Sequence, residues 1–345
     1  MLDYAIVVAT RNRRQMLSAS LPTFVQQTRP AARIVVVDRS DDHEAVRTLC
    51  GEVAARGDVP IEVVHSDRAN LPRQRNLGLE RVQEAVTVFP DDDVLWFPDT
   101  AERLLQVYDA DVNERLGAVS GIETDISPAS RSAEAPLRTT RLTDRAFIAR
   151  TRNRLESALV PQPFDLHGMA RIADLSAAAR ADGLTYPLVP TIGGFRMSFR
   201  TALAQQLLFD EVLGSRAGYG QHEDKDFGLR VLNAGYLIAA APEARVFHNV
   251  HPGKRAAGFA YGFFQILNYV YICRKVMPDT AATQAATRRY LSYKVALYSL
   301  RRTDDYVRDI HRGGRAALSE VPLVMATPVA DLAARYAEIC DRHLD

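Results

Sequence analysis

Three consecutive acids, Asp91-Asp92-Asp93, stand directly after the apolar run Val86-Thr87-Val88-Phe89-Pro90. In an extended segment residues i and i+2 point the same way, so Asp91 and Asp93 can share one ligand. Carboxylate oxygens suit Mg²⁺ or Mn²⁺, which take one or two carboxylates and complete their shells with substrate phosphates. A solvated loop would show the same triplet. Its position between a buried run and Trp96-Phe97-Pro98 favours the metal.

A second acidic group, Glu223, Asp224 and Asp226, opens a helical stretch behind His222. One carboxylate suffices to cap a helix, and this segment supplies three. A carboxylate here can serve as general base if its surroundings tune its pKa. The glycine-punctuated run Gly214-Ser215-Arg216-Ala217-Gly218-Tyr219-Gly220 precedes it and could let a loop close over a substrate. Downstream, His248 and His251 follow a short strand. A lone histidine is usually a packing or surface residue, but beside two acidic clusters His248 becomes a third candidate metal ligand. Arg73 and Arg75 sit at a helix start, where guanidinium forks and backbone N–H groups suit phosphate; an exposed helix face would account for one of them.

The elements that must position these groups can be read from apolar patterning. Ala5–Ala9, Ile34–Val37, Ile61–Val64 and Val86–Phe89 are continuous β-branched runs, separated by helical patterns near 17–25, 43–56 and 74–83. Pro22 weakens the first of those helices. Buried strands alternating with helices predict βαβ units and a parallel sheet covered on both faces. The first four strands run into Thr10-Arg11-Asn12-Arg13, Asp38, Ser66-Asp67 and Asp91-Asp92-Asp93. Ligands of open α/β sheets bind outside the carboxyl ends of the strands, so Thr10, Arg11, Arg13, Asp38, Asp67 and Asp92 join the candidate binding set. Strand one is not followed by GxGxxG, which removes most support for a dinucleotide-binding oxidoreductase.

Beyond about Glu123 the pattern weakens until about Leu188, an inserted and partly helical region. Regularity returns over 190–200, a helix follows near 224–233 with Gly235 as its C-cap, and 236–240 and 244–247 look like two short strands. The expected organisation is an α/β catalytic domain over 1–255, with an insertion at 122–190, and a helical C-terminal extension over 256–345.

Composition bounds the function. Forty-three basic against 42 acidic residues excludes a chain that wraps polyanions over its whole surface, so no nucleic-acid partner is expected. The 47% apolar content supports a sizeable core. Cys50, Cys273 and Cys340 are scattered without a CxxC pair, which points to a reducing compartment. Met1-Leu2-Asp3-Tyr4 runs straight into a strand, so no leader is expected. The apolar stretch from about Ala256 to Cys273 contains Gln265 and Asn268 and is too short and polar to span a bilayer. A cytoplasmic protein is expected. The aromatic cluster Phe259 to Tyr271 is expected to pack on the catalytic unit; peripheral contact at the inner face of a membrane, or a homodimer face, is the alternative. From Arg131 to Arg154 seven arginines face only Glu134 and Asp144, a local basic surface suited to a phosphate-bearing or lipid-linked acceptor.

Taken in order, several short pieces resemble the family 2 glycosyltransferases of GT-A fold. They are Val8-Ala9-Thr10-Arg11-Asn12-Arg13, Ile34 to Ser40, Arg75-Asn76-Leu77-Gly78, Phe89-Pro90-Asp91-Asp92-Asp93, Gly193-Gly194-Phe195 through Arg200, Phe209-Asp210-Glu211, Glu223-Asp224 with Leu229-Arg230, and Gly235-Tyr236. The resemblance implies an inverting, metal-dependent transfer of a sugar from a nucleoside diphosphate donor, a UDP-sugar being favoured, to an acceptor hydroxyl on a glycan, lipid-linked or small molecule. It implies Thr10 and Asp38 at the nucleoside, Arg75 near the diphosphate, and Asp91, Asp93 and His248 around Mn²⁺ or Mg²⁺, with Asp93 the direct ligand. Asp224 would be the base and Glu223 would hold the acceptor. Gln74 stands where alanine is usual, Arg39 where an acidic or polar residue is usual, and the insertion is longer than in compact members. A nucleotidyltransferase of similar fold and a non-catalytic nucleotide-sugar-binding protein are the alternatives. The first would be expected to carry a glycine-rich phosphate loop after strand one, and Thr10-Arg11-Asn12-Arg13 has no glycine.

Overall fold

A computed structural model of the protein describes residues 1–128, 160–214, 221–249, 257–300 and 304–344. The chain divides into two units, Met1–Ser130 with Gly168–Gly253, and Arg131–His167 with Lys254–Asp345.

The first unit is built on an eight-stranded sheet of order β3-β2-β1-β4-β7-β6-β8-β5. The strands are β1 (Tyr4–Thr10), β2 (Arg33–Asp38), β3 (Ile61–His65), β4 (Val86–Phe89), β5 (Val94–Trp96), β6 (Leu116–Glu123), β7 (Met197–Arg200) and β8 (Leu237–His248). Between them run α1 (Arg14–Val25), α2 (His43–Ala54), α3 (Leu71–Leu79), α4 (Thr100–Asp109), α6 (Thr201–Leu207) and α7 (Glu223–Asn233), while α5 (Pro163–Ala181) contributes to both units.

The sheet is mostly parallel, as the sequence suggested, with β7 and β5 as its antiparallel strands. β3, β2, β1 and β4 pair in parallel, as do β6 and β8, but β7 runs antiparallel to β4 and β6, and β5 antiparallel to β8. The parallel half is the half with continuous β-branched runs; Ile34 to Val37 and Ile6 to Val8 are almost wholly buried. β8 is one strand where two were expected, because exposed Pro242 and Glu243 interrupt the apolar pattern without breaking the strand. Pro22 lies inside α1, which nevertheless runs through to Val25.

α3 shows how local sequence fixes an element onto the sheet. Asn70 caps it by accepting from Arg73 N–H at 3.0 Å, and Pro72 occupies its first turn. A Cβ on Gly78 would lie 2.2 Å from Val7 Cγ1, so the helix reaches β1 only because that residue is glycine.

The second unit contains α8 (Gly258–Val276), α9 (Ala281–Leu300), α10 (Asp305–Ala326) and α11 (Leu332–Leu344). α8 and α10 touch backbone to backbone. A Cβ on Gly262 would lie 2.0 Å from the Ile310 carbonyl oxygen, and one on Gly313 equally close to that of Phe259. Tyr336 donates to Asn268 Oδ1 at 2.6 Å, satisfying the one amide buried in α8's apolar run. Among the described residues no helix is long and apolar enough to cross a membrane.

Candidate active site

The acidic triplet forms the turn between β4 and β5, so it lies at the carboxyl end of the sheet beside the end of β1. Thr10 Oγ1 donates to Asp92 Oδ2 at 2.7 Å, and Arg13 spans the turn with one nitrogen 2.6 Å from Asp92 Oδ1 and the other on Asp93 Oδ2. Burial pushes Asp92 up to about 7, more than Arg13 and Thr10 pull it down. Burial also raises Asp93, but contacts from His248 and Arg13 outweigh it and hold that carboxyl at about 2. His248 reaches Asp93 because β8 ends opposite β5, with Val94 in register with His248; its Nε2 is 3.3 Å from Asp93 Oδ1. The imidazole also stacks on Phe195, ring centroids 4.6 Å apart.

Asp91 turns another way. Arg75, 3% exposed, places one nitrogen 3.1 Å from Asp91 Oδ1 and the other 2.8 Å from Glu223 Oε1, with its guanidinium over the Phe209 ring. One buried cation therefore ties the acidic turn to the start of α7. Its neighbours serve the same frame. Asn76 clips the Phe209 backbone in both directions at 2.8 and 2.9 Å. Buried Gln74 donates to the carbonyl oxygens of Thr10 at 3.0 Å and Val37 at 2.8 Å, joining the ends of β1 and β2.

At α7 the backbone enters through His222 in the left-handed region, φ 66°, an uncommon conformation for a side chain of this size. Glu223 is buried, and desolvation raises its carboxyl above the usual range although Arg75 lowers it; the charge of Asp224 adds to the rise. Asp224, half-buried, accepts from Gly194 N–H at 2.9 Å and from Lys225 N–H at 2.8 Å. Lys225 Nζ in turn donates to the Ile192 carbonyl at 2.7 Å, so the first turn of α7 holds the strand of chain before β7. Asp226 is fully buried and pairs with Arg230 at 2.8 Å.

The nucleoside candidates fall on the same edge. Thr10 and Asp38 are register partners, as are Asp38 and His65. Asp38 Oδ1 accepts from Ser40 N–H at 2.9 Å and Ser40 Oγ at 2.6 Å, and Oδ2 faces His43 Nδ1 at 2.7 Å. Asp38, His43 and His65 each offer a ligand atom within 4.8 Å of the others. Asp67 is exposed and paired with Arg73 at 3.4 Å; Arg11 is exposed. His43 and His65 were not singled out from sequence; Gln74 was, as a departure from the usual alanine. The basic stretch 131–154, the glycine-rich loop 215–220 and His251 lie outside the described residues.

The contact between Asp93 and His248 is of hydrogen-bond length and also suits two donors of one cation. Two donors bound cis at about 2.1 Å in an octahedron are roughly 3.0 Å apart, close to the observed separation of Asp93 Oδ1 and His248 Nε2. Asp93 supplies an ionised oxygen; Asp91, held by Arg75, is turned toward a different partner.

Residues 5–155 match the sequence profile described as Glycosyl transferase family 2. Among solved structures, the mannosyltransferase PcManGT from Pyrobaculum calidifontis, in complex with GDP-Man and Mn²⁺, is 16% identical with a TM-score of 0.54, covering 100% of this chain and 89% of its own. TarS 1-349 from S. aureus, in complex with UDP-GlcNAc, is 13% identical with a TM-score of 0.54, covering 99% of this chain and 92% of its own. These likenesses establish the fold. No curated protein matches the chain. Profile and fold agree: residues 5–155 match the family 2 glycosyltransferase profile, and the chain has the GT-A fold of these solved transferases.

Proposed function

We propose that the protein transfers a sugar, with inversion, from a nucleoside diphosphate donor to an acceptor hydroxyl, and that Asp224 is the base. The observation that carries this is the Arg75 tie. It sets the acidic turn and the base-bearing end of α7 in one hydrogen-bonded frame, with Gly194 against both Arg75 and Asp224. A base removing the acceptor proton needs to stand beside the reacting carbon while charge develops on the leaving diphosphate at the other side.

The ends of β1, β2 and β3 would receive the nucleoside, with Thr10 and Asp38 on the floor. Asp93 and His248 would hold Mn²⁺ or Mg²⁺; when bound, the cation neutralises charge on the leaving diphosphate. Mn²⁺ in the PcManGT complex, and the sugar nucleotides in both complexes, support this assignment. Glu223, kept in place by Arg75, would orient the acceptor, and Asp224 Oδ2, now accepting from Gly194 N–H, would take its proton. A uridine donor remains the favoured base, and the acceptor is a glycan, lipid-linked or small molecule.

Thermal stability measured with a panel of nucleoside diphosphates and their sugars, with and without Mn²⁺ or Mg²⁺, tests the reading. Metal-dependent stabilisation by one sugar nucleotide is expected. Asp93→Asn should remove the metal-dependent part, and Asp224→Asn should keep donor binding yet lose transfer. No stabilisation by any donor with either metal, or a fully active Asp224→Asn, would overturn it.

A further inference from the structure

α10 carries Arg308, His311, Arg312 and Arg315 at i, i+3, i+4 and i+7, which is one face of a helix. With Phe259 of α8 they line a cavity of about 510 Å³, a volume typical of small-ligand sites. Among the described residues no acidic side chain lines it. The cradle is fixed by backbone contact: Gly313 lets the Phe259 carbonyl press on α10 within the turn that bears the arginines, and the Phe259 ring stacks on Phe263 at 6.0 Å.

The guanidiniums are available. Among the described residues Arg308 and Arg312 pair only with Asp305 and Asp309 of their own helix, at i,i+3, and all four side chains are exposed. Such pairs are weak and give way to a better anion. Arg315 is exposed and has no carboxylate partner among the described residues. His311, by contrast, is 7% exposed and forms part of the wall. Planar guanidinium forks match the oxygens of a phosphate group in pairs, and three on one face can engage it from several sides. The aromatic ring would take the apolar portion attached to that phosphate.

We propose that this cavity of the second unit is a phosphate-binding site, separate from the transfer chemistry, which takes a phosphate group borne by a soluble molecule or a lipid headgroup. The assignment rests on the lining residues alone and stands or falls independently of the sugar-donor reading.

Two probes test it on the full chain: calorimetric titration of inorganic pyrophosphate without divalent cations, and co-sedimentation with phosphatidylglycerol or pure phosphatidylcholine vesicles. Arg312→Ala/Arg315→Ala should weaken binding of at least one probe by about tenfold or more. Arg312→Lys/Arg315→Lys should recover only part of it, because lysine keeps the charge without the fork. Donor-induced stabilisation should be the same in all three proteins, which separates this site from the first unit. Pyrophosphate binding alone assigns the ligand to a soluble molecule, and phosphatidylglycerol-dependent sedimentation assigns it to a lipid. Equal binding of both probes by wild type and the alanine variant, or binding of neither probe by wild type, overturns the proposal.

Discussion

Arg75→Met removes the guanidinium that joins Asp91 to Glu223 while keeping most of the side-chain volume beside Phe209. Both Arg75 and Glu223 are buried, so the substitution strands a desolvated carboxyl rather than freeing an exposed one. Breaking a buried ion pair on one side costs about 3–5 kcal/mol, well above the ~0–1 kcal/mol of an exposed pair. The deficit should depend on pH with a definite sign. Glu223 is already raised by burial, and losing Arg75 raises it further. A folded-state pKa above the unfolded one contributes stability at low pH that is lost as pH rises, so the variant should be weakest at high pH. Urea unfolding of wild type, Arg75→Met, Glu223→Gln and the double variant, at about pH 8 and about pH 5.5, gives the cycle; a coupling of roughly 1–3 kcal/mol is expected at the higher pH. A deficit below about 1 kcal/mol, or one indifferent to pH, would refute the argument. Weakened donor binding at unchanged stability would instead place the guanidinium on the donor diphosphate, as the sequence alone suggested.

Gln74→Ala deletes two buried hydrogen bonds between the ends of β1 and β2 and should lower unfolding stability by about 2 kcal/mol in denaturant titration. An exposed or redundant side chain would show no loss. Gly78→Ala puts a methyl 2.2 Å from Val7 Cγ1 and should destabilise by about 1–3 kcal/mol, read as a lower melting temperature; a stabilised variant would mean that helix propensity outweighs packing there. Asp92 titrates near 7 when folded and near ~3.9 when unfolded, so its contribution is full at low pH and fades as pH rises through about 7. The stability of wild type relative to Asp92→Asn should therefore fall by something on the order of 4 kcal/mol between about pH 4 and pH 8, and parallel melting profiles would contradict this.

The parallel half of the sheet was legible because its strands are buried on both faces and so read as unbroken β-branched runs, each ending in the polar residues that line the site. β6 and β5 were not legible. Leu116–Glu123 contains two glycines and a serine, and its place comes from β7 and β8, with register shifts at Gly117 and Gly121 that no local pattern encodes. Val94–Trp96 is three residues long and becomes a strand through β8 alone. Sequence also placed the charged groups at the right edge without assigning their partners. Arg13 meets its acids about 80 positions away and Arg75 meets Glu223 across 148, separations at which spacing carries no information.

Those partners change what the arginines mean. By residue type, Arg75 looked like a phosphate ligand waiting for an anion and Arg13 like part of the binding edge. In the fold each is already bracketed by carboxylates, Arg13 by Asp92 and Asp93, Arg75 by Asp91 and Glu223. The flat charge of the whole chain thus has a local counterpart, since the acids at the carboxyl edge are largely neutralised from within. This matters for the proposed donor. A diphosphate arriving with a divalent cation brings charges that nearly cancel, so it can enter such an edge without displacing either arginine. A bare diphosphate would meet Asp91 and Asp93 with no spare cation to offset them. On the proposed reading, donor binding is expected to depend on the metal, and comparing donor binding with and without Mn²⁺ or Mg²⁺ tests the electrostatics of the whole edge as well as its proposed cation ligands.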